Sequence, residues 1–342
     1  MLQALATRPG ELIIEQSSDP APGPREVLVR VGACGICGTD RSIFRGDYPV
    51  EFPIVLGHEY AGTVAAVGSG VETLDVGDRV TVDPNVTCDT CSFCRRGLVH
   101  LCAHLSPLGV VRPGGFAECS VVPERNAYRI PEELSLVEAA LIEPLACCVR
   151  GMELAGIERG ATVAVLGAGP IGCMLIQLSR LEGAARVIAA EPNPARRRLA
   201  LTLGADVAVD AGEPVRQEVF QSTDGLGADV VIEASGKAAT AEFALGLVRR
   251  GGTVLWFGSS PESERIAISP FWVNDNEITI RGSFNNPYTH DSALRLVTSA
   301  RVRLAELITD RVPLRGLEAA LDLGNFPQAT KIVVVPGGDG TG

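Results

Sequence analysis

Val163-Ala164-Val165-Leu166-Gly167-Ala168-Gly169-Pro170-Ile171-Gly172 is an apolar β-type run that breaks into G-x-G-x-x-G and passes directly into a helical pattern. Each glycine has its own steric reason. Gly167 allows the tight turn, Gly169 lets the backbone approach a pyrophosphate, and Gly172 allows the helix to pack closely on the strand. The helix N-terminus, with Pro170 and Ile171 in its first turn, attracts phosphate through its free N–H groups. The stretch therefore predicts a dinucleotide-binding strand–turn–helix unit.

Outward from it, the same rhythm repeats. Thr162–Leu166, Val187–Ala190, Val207–Val209, Val230–Glu233, Val254–Phe257 and Ile278–Ile280 are short apolar runs separated by helical segments. Such runs suit a parallel sheet buried on both faces, and six of them complete a doubly wound α/β unit. After the second run, Glu191 lies 19 residues beyond Gly172. A carboxylate there can accept hydrogen bonds from the adenosine ribose hydroxyls and would repel a 2′-phosphate, so NAD is expected over NADP. Arg196, Arg197 and Arg198 could offset that repulsion, with Arg196 a candidate cofactor contact, although a charged, solvated helix start also explains them. Upstream, residues 1 to about 150 carry short β-type runs punctuated by Gly and Pro, such as Glu26–Val31 and Gly62–Val67, which read as an irregular β-rich domain.

Composition narrows the function. A chain of 342 residues exceeds what one core usually supports, so two domains are expected. The net charge of −11, with no basic block, argues against nucleic-acid or membrane-surface partners. No apolar run approaches the roughly 18 residues of a membrane span, and no signal-peptide core follows Met1, so a cytoplasmic protein is expected.

Cys88, Cys91, Cys94 and Cys102 form a C-x2-C-x2-C-x7-C run. Four thiolates ~2.3 Å from one ion satisfy the tetrahedral preference of zinc and leave no position for substrate, the mark of a structural site. An iron–sulfur cluster or disulfides are the rival readings; the ferredoxin-type C-x3-C-P ending is missing. Cys37, in Gly-Ile-Cys-Gly-Thr-Asp, and His58-Glu59, in Gly57-His58-Glu59-Tyr60, supply a thiolate, an imidazole and a carboxylate from two segments. That mixed set suits a zinc with an exchangeable position. Glu143 lies in an apolar stretch, where a carboxylate must be paired or metal-bound.

In order and spacing these elements resemble the zinc-containing medium-chain alcohol/polyol dehydrogenases over nearly the whole chain. Glu143-Pro144, where classical alcohol dehydrogenases carry a cysteine, is similar to the sorbitol/threonine dehydrogenase branch. The resemblance implies a GroES-like catalytic domain formed by about residues 1–150 with 285–342 returning to it. It also implies a Rossmann NAD-binding domain over 151–284 and two zinc ions per chain. It assigns Cys37, His58 and a glutamate, Glu59 or Glu143, to the catalytic zinc. By the same resemblance Thr39 would be the hydroxyl that takes the proton of a secondary alcohol as hydride passes to NAD, and a homodimer or homotetramer is implied. Ser42 stands where many relatives carry a proton-conducting histidine. Asn285-Asn286 stand where sorbitol dehydrogenases carry Arg-Tyr, which favours a neutral polyol, sugar or cyclitol. L-threonine 3-dehydrogenase, a simple alcohol dehydrogenase, or a non-catalytic nucleotide-binding protein on the same fold are the alternatives.

Overall fold

In the computed structural model, which describes residues 1–338, the six apolar runs form one parallel sheet. Across it the strands lie in the order Val207–Val209, Arg186–Ala190, Thr162–Leu166, Ala228–Glu233, Val248–Trp256 and Thr279–Gly282. The chain thus builds outward from Thr162–Leu166 in one direction and then restarts on its other side, which creates a topological switch point there. Val163, Ala164, Val165, Val187, Ile188 and Val231 are fully buried, because helices cover both faces.

This sheet and its helices belong to one compact unit, Cys147–Thr289 with Ser299–Leu307. The C-terminal return expected over 285–342 is therefore divided, and residues 339–342 of it lie outside the described residues. Ser299–Leu307 buries Val302, Leu304 and Leu307 and is also tied to this unit by polar contacts. The Gln177 amide donates to the Arg303 carbonyl at 3.1 Å and accepts its N–H at 2.9 Å, and the Arg303 guanidinium donates to the Thr202 carbonyl at 2.6 Å.

The second unit comprises Met1–Ala146, His290–Thr298 and residues 308–338. Its larger sheet runs Ile308–Pro313, Lys331–Val335, Glu26–Gly35, Glu59–Val67, Arg79–Val82 and Ala127–Arg129, with Cys119–Pro123 also paired to Glu26–Gly35. Leu2–Arg8 forms a smaller sheet with Glu11–Gln16 and Ile54–Val55. Alternating side chains such as Val27, Val29 and Val31 enter a shared apolar core with Phe116 and Val334. Two registers matter for function. Gly35 pairs with Glu59, and Val333 pairs with Gly35 from the other side, so the ends of three strands distant in sequence converge beside residue 35. Among the described residues no helix is long and apolar enough to cross a membrane.

Candidate metal and dinucleotide sites

Cys37 follows the strand Glu26–Gly35 by two residues and caps the helix Gly38–Arg45. Asp40, three residues on, completes a capping box: its Oδ2 accepts the Cys37 N–H at 2.8 Å. The other oxygen accepts the Gly57 N–H at 3.2 Å and lies 3.4 Å from His58 Nδ1. One fully buried carboxylate therefore orients both segments that carry the sulfur and the imidazole. Gly57 is required at its position (φ +91°), since a Cβ there would lie 2.7 Å from Cys34 Sγ and 2.9 Å from the Phe116 ring. The ligand atoms of Cys37, His58 and Glu59 all stand within 4.8 Å of one another, and Thr39 Oγ1 is 3.8 Å from Cys37 Sγ.

The charges around this cluster are unusual for a protein interior. Glu59 and Lys331 form a buried ion pair, and Lys331 Nζ also donates to the Ile36 carbonyl at 3.0 Å. Burial works against the Lys331 charge, yet Glu59 and Cys37 outweigh it and raise its pKa above the ordinary value. His58 behaves alike: burial lowers its pKa, while Asp40 and Cys37 carry it well above the ordinary value. Glu143, buried on the helix Ile142–Ala155, is pushed up to about 8, first by burial and then by Glu59 and Asp83, with His58 opposing. Its carboxylate senses the cluster electrostatically but lies outside the three-residue set. Asp40 and Lys331 are missing from the sequence reading. The C-x-x-D spacing of a capping box is a local signal for Asp40; none exists for Lys331, which only the pairing of the last strand brings to Cys37.

The four cysteines of the lobe also converge, with all four sulfurs within 4.8 Å of one another. Sulfurs ~2.3 Å from one tetrahedral ion stand roughly 3.8 Å apart. The Cys102–Cys88 and Cys102–Cys91 separations are 3.5 and 4.0 Å, so the donors fit zinc without rearrangement. Backbone N–H groups of Thr90 and Cys91 hold Cys88 down to about 5, favouring the thiolate form that a zinc ion would take. The Cys88 and His104 amides point at Cys102 Sγ at 3.4 and 3.3 Å.

In the parallel-sheet unit, Gly167 adopts φ +106°, Gly169 precedes the helix Pro170–Leu181 with Pro170 at its start, and Ile171 and Gly172 follow in the first turn. A Cβ at Gly172 would run into the Gly167 carbonyl, so strand and helix can meet only here without a side chain. Glu191 is buried at the end of the neighbouring strand, accepting the Ala168 N–H at 2.9 Å and the Asn193 N–H at 3.0 Å. Each oxygen retains a further acceptor site for a ribose hydroxyl. The Arg196 backbone N–H joins the Asn193 cap at 3.4 Å, and Arg197 donates to the Glu191 carbonyl at 2.7 Å, so the arginines anchor this helix start. Of the two amides, Asn286 is buried and Asn285 half-buried.

Residues 23–132 match the alcohol dehydrogenase GroES-like domain family, and residues 170–299 match the zinc-binding dehydrogenase family. D-altritol 5-dehydrogenase of Agrobacterium fabrum is 40% identical over 296 residues, covering 85% of this chain and 86% of that protein. Sorbitol dehydrogenase of Bacillus subtilis is 34% identical, covering 95% and 94%. A crystal structure described as a zinc-binding dehydrogenase from Sinorhizobium meliloti 1021, bound to NADP, superimposes with a TM-score of 0.94 at 39% identity, covering 98% of this chain and 99% of that one. The chain belongs to the zinc-dependent medium-chain alcohol/polyol dehydrogenase family of NAD(P)-linked oxidoreductases.

Proposed function

We propose that the chain oxidises a secondary hydroxyl of an uncharged polyol, sugar or cyclitol, reversibly, with NAD as hydride acceptor. The observation that carries this reading is the Cys37–His58–Glu59 cluster held by Asp40, with Thr39 beside it. A zinc ion held by Cys37, His58 and Glu59 or Glu143 supplies the charge that lowers the pKa of the substrate hydroxyl. Asp40 Oδ1 stands 3.4 Å from His58 Nδ1, which favours Nε2 as the nitrogen that would ligate. Thr39 Oγ1 accepts the hydroxyl proton, and with Ser42 in the place of a proton-conducting histidine the proton leaves by water or a ribose hydroxyl. Lys331 balances the Glu59 charge that would otherwise be buried alone. The Cys88, Cys91, Cys94 and Cys102 site carries a second, structural zinc. Gly167, Gly169, Pro170, Ile171, Gly172 and Glu191 hold the dinucleotide, with Arg196 at the adenosine end.

The polyol assignment is supported by the altritol and sorbitol relatives and by the absence of a charged side chain at Asn285-Asn286. NAD is favoured over NADP because Glu191 stands where a 2′-phosphate would lie. The edge strand Thr279–Gly282, largely exposed and paired on one side only, supports a homodimer through this edge, or a tetramer built from it. Ten free thiols, four of them clustered, support a reducing compartment, the cytosol. The test is NADH formation with polyols, sugars, cyclitols and threonine, each with NAD and NADP. Cys37→Ala should lower turnover by roughly three orders of magnitude while NADH binding persists. Retained turnover, or activity confined to NADP or to threonine, overturns the corresponding part of the reading.

A further inference from the structure

The strand order of the parallel sheet places two buried carboxylates on opposite sides of the Gly167 turn. Ala190 and Glu233 both pair with Leu166, from the left and right neighbours of the central strand. Glu191 follows Ala190 directly and marks the adenosine side. A dinucleotide whose pyrophosphate crosses the helix N-terminus at Gly169–Gly172 must extend its other half past Gly167, toward the end of the strand Ala228–Glu233.

Glu233 is 1% exposed, and one of its oxygens, Oε1, accepts the Ser235 N–H at 2.7 Å, the Ser235 hydroxyl at 2.5 Å and the Gly236 N–H at 2.9 Å. Its backbone carbonyl accepts the Phe257 and Gly258 N–H groups, both at 3.0 Å. Three backbone turns interlock around it. A Cβ on Gly167 would lie 3.3 Å from the Ala234 carbonyl, one on Gly258 would stand 2.6 Å from Glu233 Oε2, and one on Gly236 (φ +68°) would stand 2.7 Å from the Ser259 carbonyl. An exposed turn can be closed by a neutral cap, whereas a buried carboxylate is retained only when several donors satisfy it. The outcome is a rigid wall of small residues, Ala234-Ser235-Gly236, at the switch point where a ligand backbone or ring can approach closely.

We infer that Glu233 is a positioning residue for the nicotinamide ring of the cofactor, acting through the Ser235–Gly236 turn that it ties to the strand end beside Gly167. The inference rests on the reading of the cofactor as a nicotinamide dinucleotide. Calorimetric titration of the metal-replete protein with NADH, and separately with ADP-ribose, tests it, because ADP-ribose lacks the nicotinamide ring. Glu233→Gln keeps the side-chain size and removes the charge-assisted acceptor. Its dissociation constant for NADH should rise about tenfold or more while that for ADP-ribose stays within about twofold. Ser235→Ala, which removes one of the three donors and leaves both backbone donors in place, should shift NADH in the same direction by about threefold. Equal losses for both ligands, or no loss for either, overturns the assignment, and Ser235→Ala decides alone if Glu233→Gln does not fold. Failure of the unaltered protein to bind NADH would instead overturn the cofactor reading.

Discussion

His290 makes the stability of the β-rich unit depend on pH. Its ring is fully buried on the helix His290–Thr298 and packs on Tyr128, with centroids 4.6 Å apart at 33°. Nε2 lies 3.4 Å from Thr81 Oγ1, whose own proton goes to the Ala139 carbonyl at 2.9 Å. The neutral ring therefore donates from Nε2, and Nδ1 is buried with no hydrogen-bond partner among the described residues. A second proton would sit on that nitrogen with nothing to accept it, and burial drives the pKa down to about 3. The unfolded chain takes up this proton below its ordinary pKa of about 6.5, the folded one does not, so stability is lost as the pH falls through that value. The loss is about 1.4 kcal/mol per pH unit, or about 2 kcal/mol between pH 7.5 and 5.0.

His290→Gln retains a polar group and removes the titration. Urea unfolding of both proteins, zinc-replete, at the two pH values isolates the contribution, because metal and carboxylate effects common to both cancel in the difference of differences. Circular dichroism is the suitable signal. Both tryptophans, Trp256 and Trp272, lie in the parallel-sheet unit and would report on that unit alone. His290→Gln should be less stable at pH 7.5 yet less sensitive to acid by about 2 kcal/mol. If the variant loses as much stability between the two pH values as the unaltered protein, the argument from burial is refuted.

Three further outcomes follow from the geometry. Lys331→Met leaves the Glu59 carboxylate buried without its cation and should cost about 3–5 kcal/mol in chemical denaturation of the metal-free protein, with Lys331→Arg recovering part of it; a loss below 1 kcal/mol would show that Glu59 finds another partner. Cys91→Ser should reduce bound zinc from two ions per chain to one by elemental analysis and lower the thermal midpoint, while NADH affinity is unchanged; two ions retained would reject the four-sulfur site. Glu191→Ala should raise the ratio of NADP to NAD affinity about tenfold or more by removing the repulsion of a 2′-phosphate, and an unchanged ratio would place cofactor discrimination elsewhere.

What could be read without coordinates was what short stretches of chain determine. The inner apolar runs became strands because a parallel sheet covered on both faces needs little beyond continuous apolar sequence, while the edge strands Val207–Val209 and Thr279–Gly282 are only partly covered. The G-x-G-x-x-G turn is legible because its steric requirements fall within six residues, and the cysteine lobe because all four sulfurs come from fifteen consecutive positions. Cys37 and His58-Glu59 were visible as ligand types, and the family resemblance joined them. Only the tertiary structure decided how those ligands are held. Lys331 reaches Glu59 across 272 residues through the register of the final strand, His290 reaches Thr81 across 209, and Glu233 gains its place opposite Glu191 from the order of strands. A buried charge or an unprotonated ring is set by what surrounds it in space, and those surroundings come from non-local pairings that no local pattern encodes.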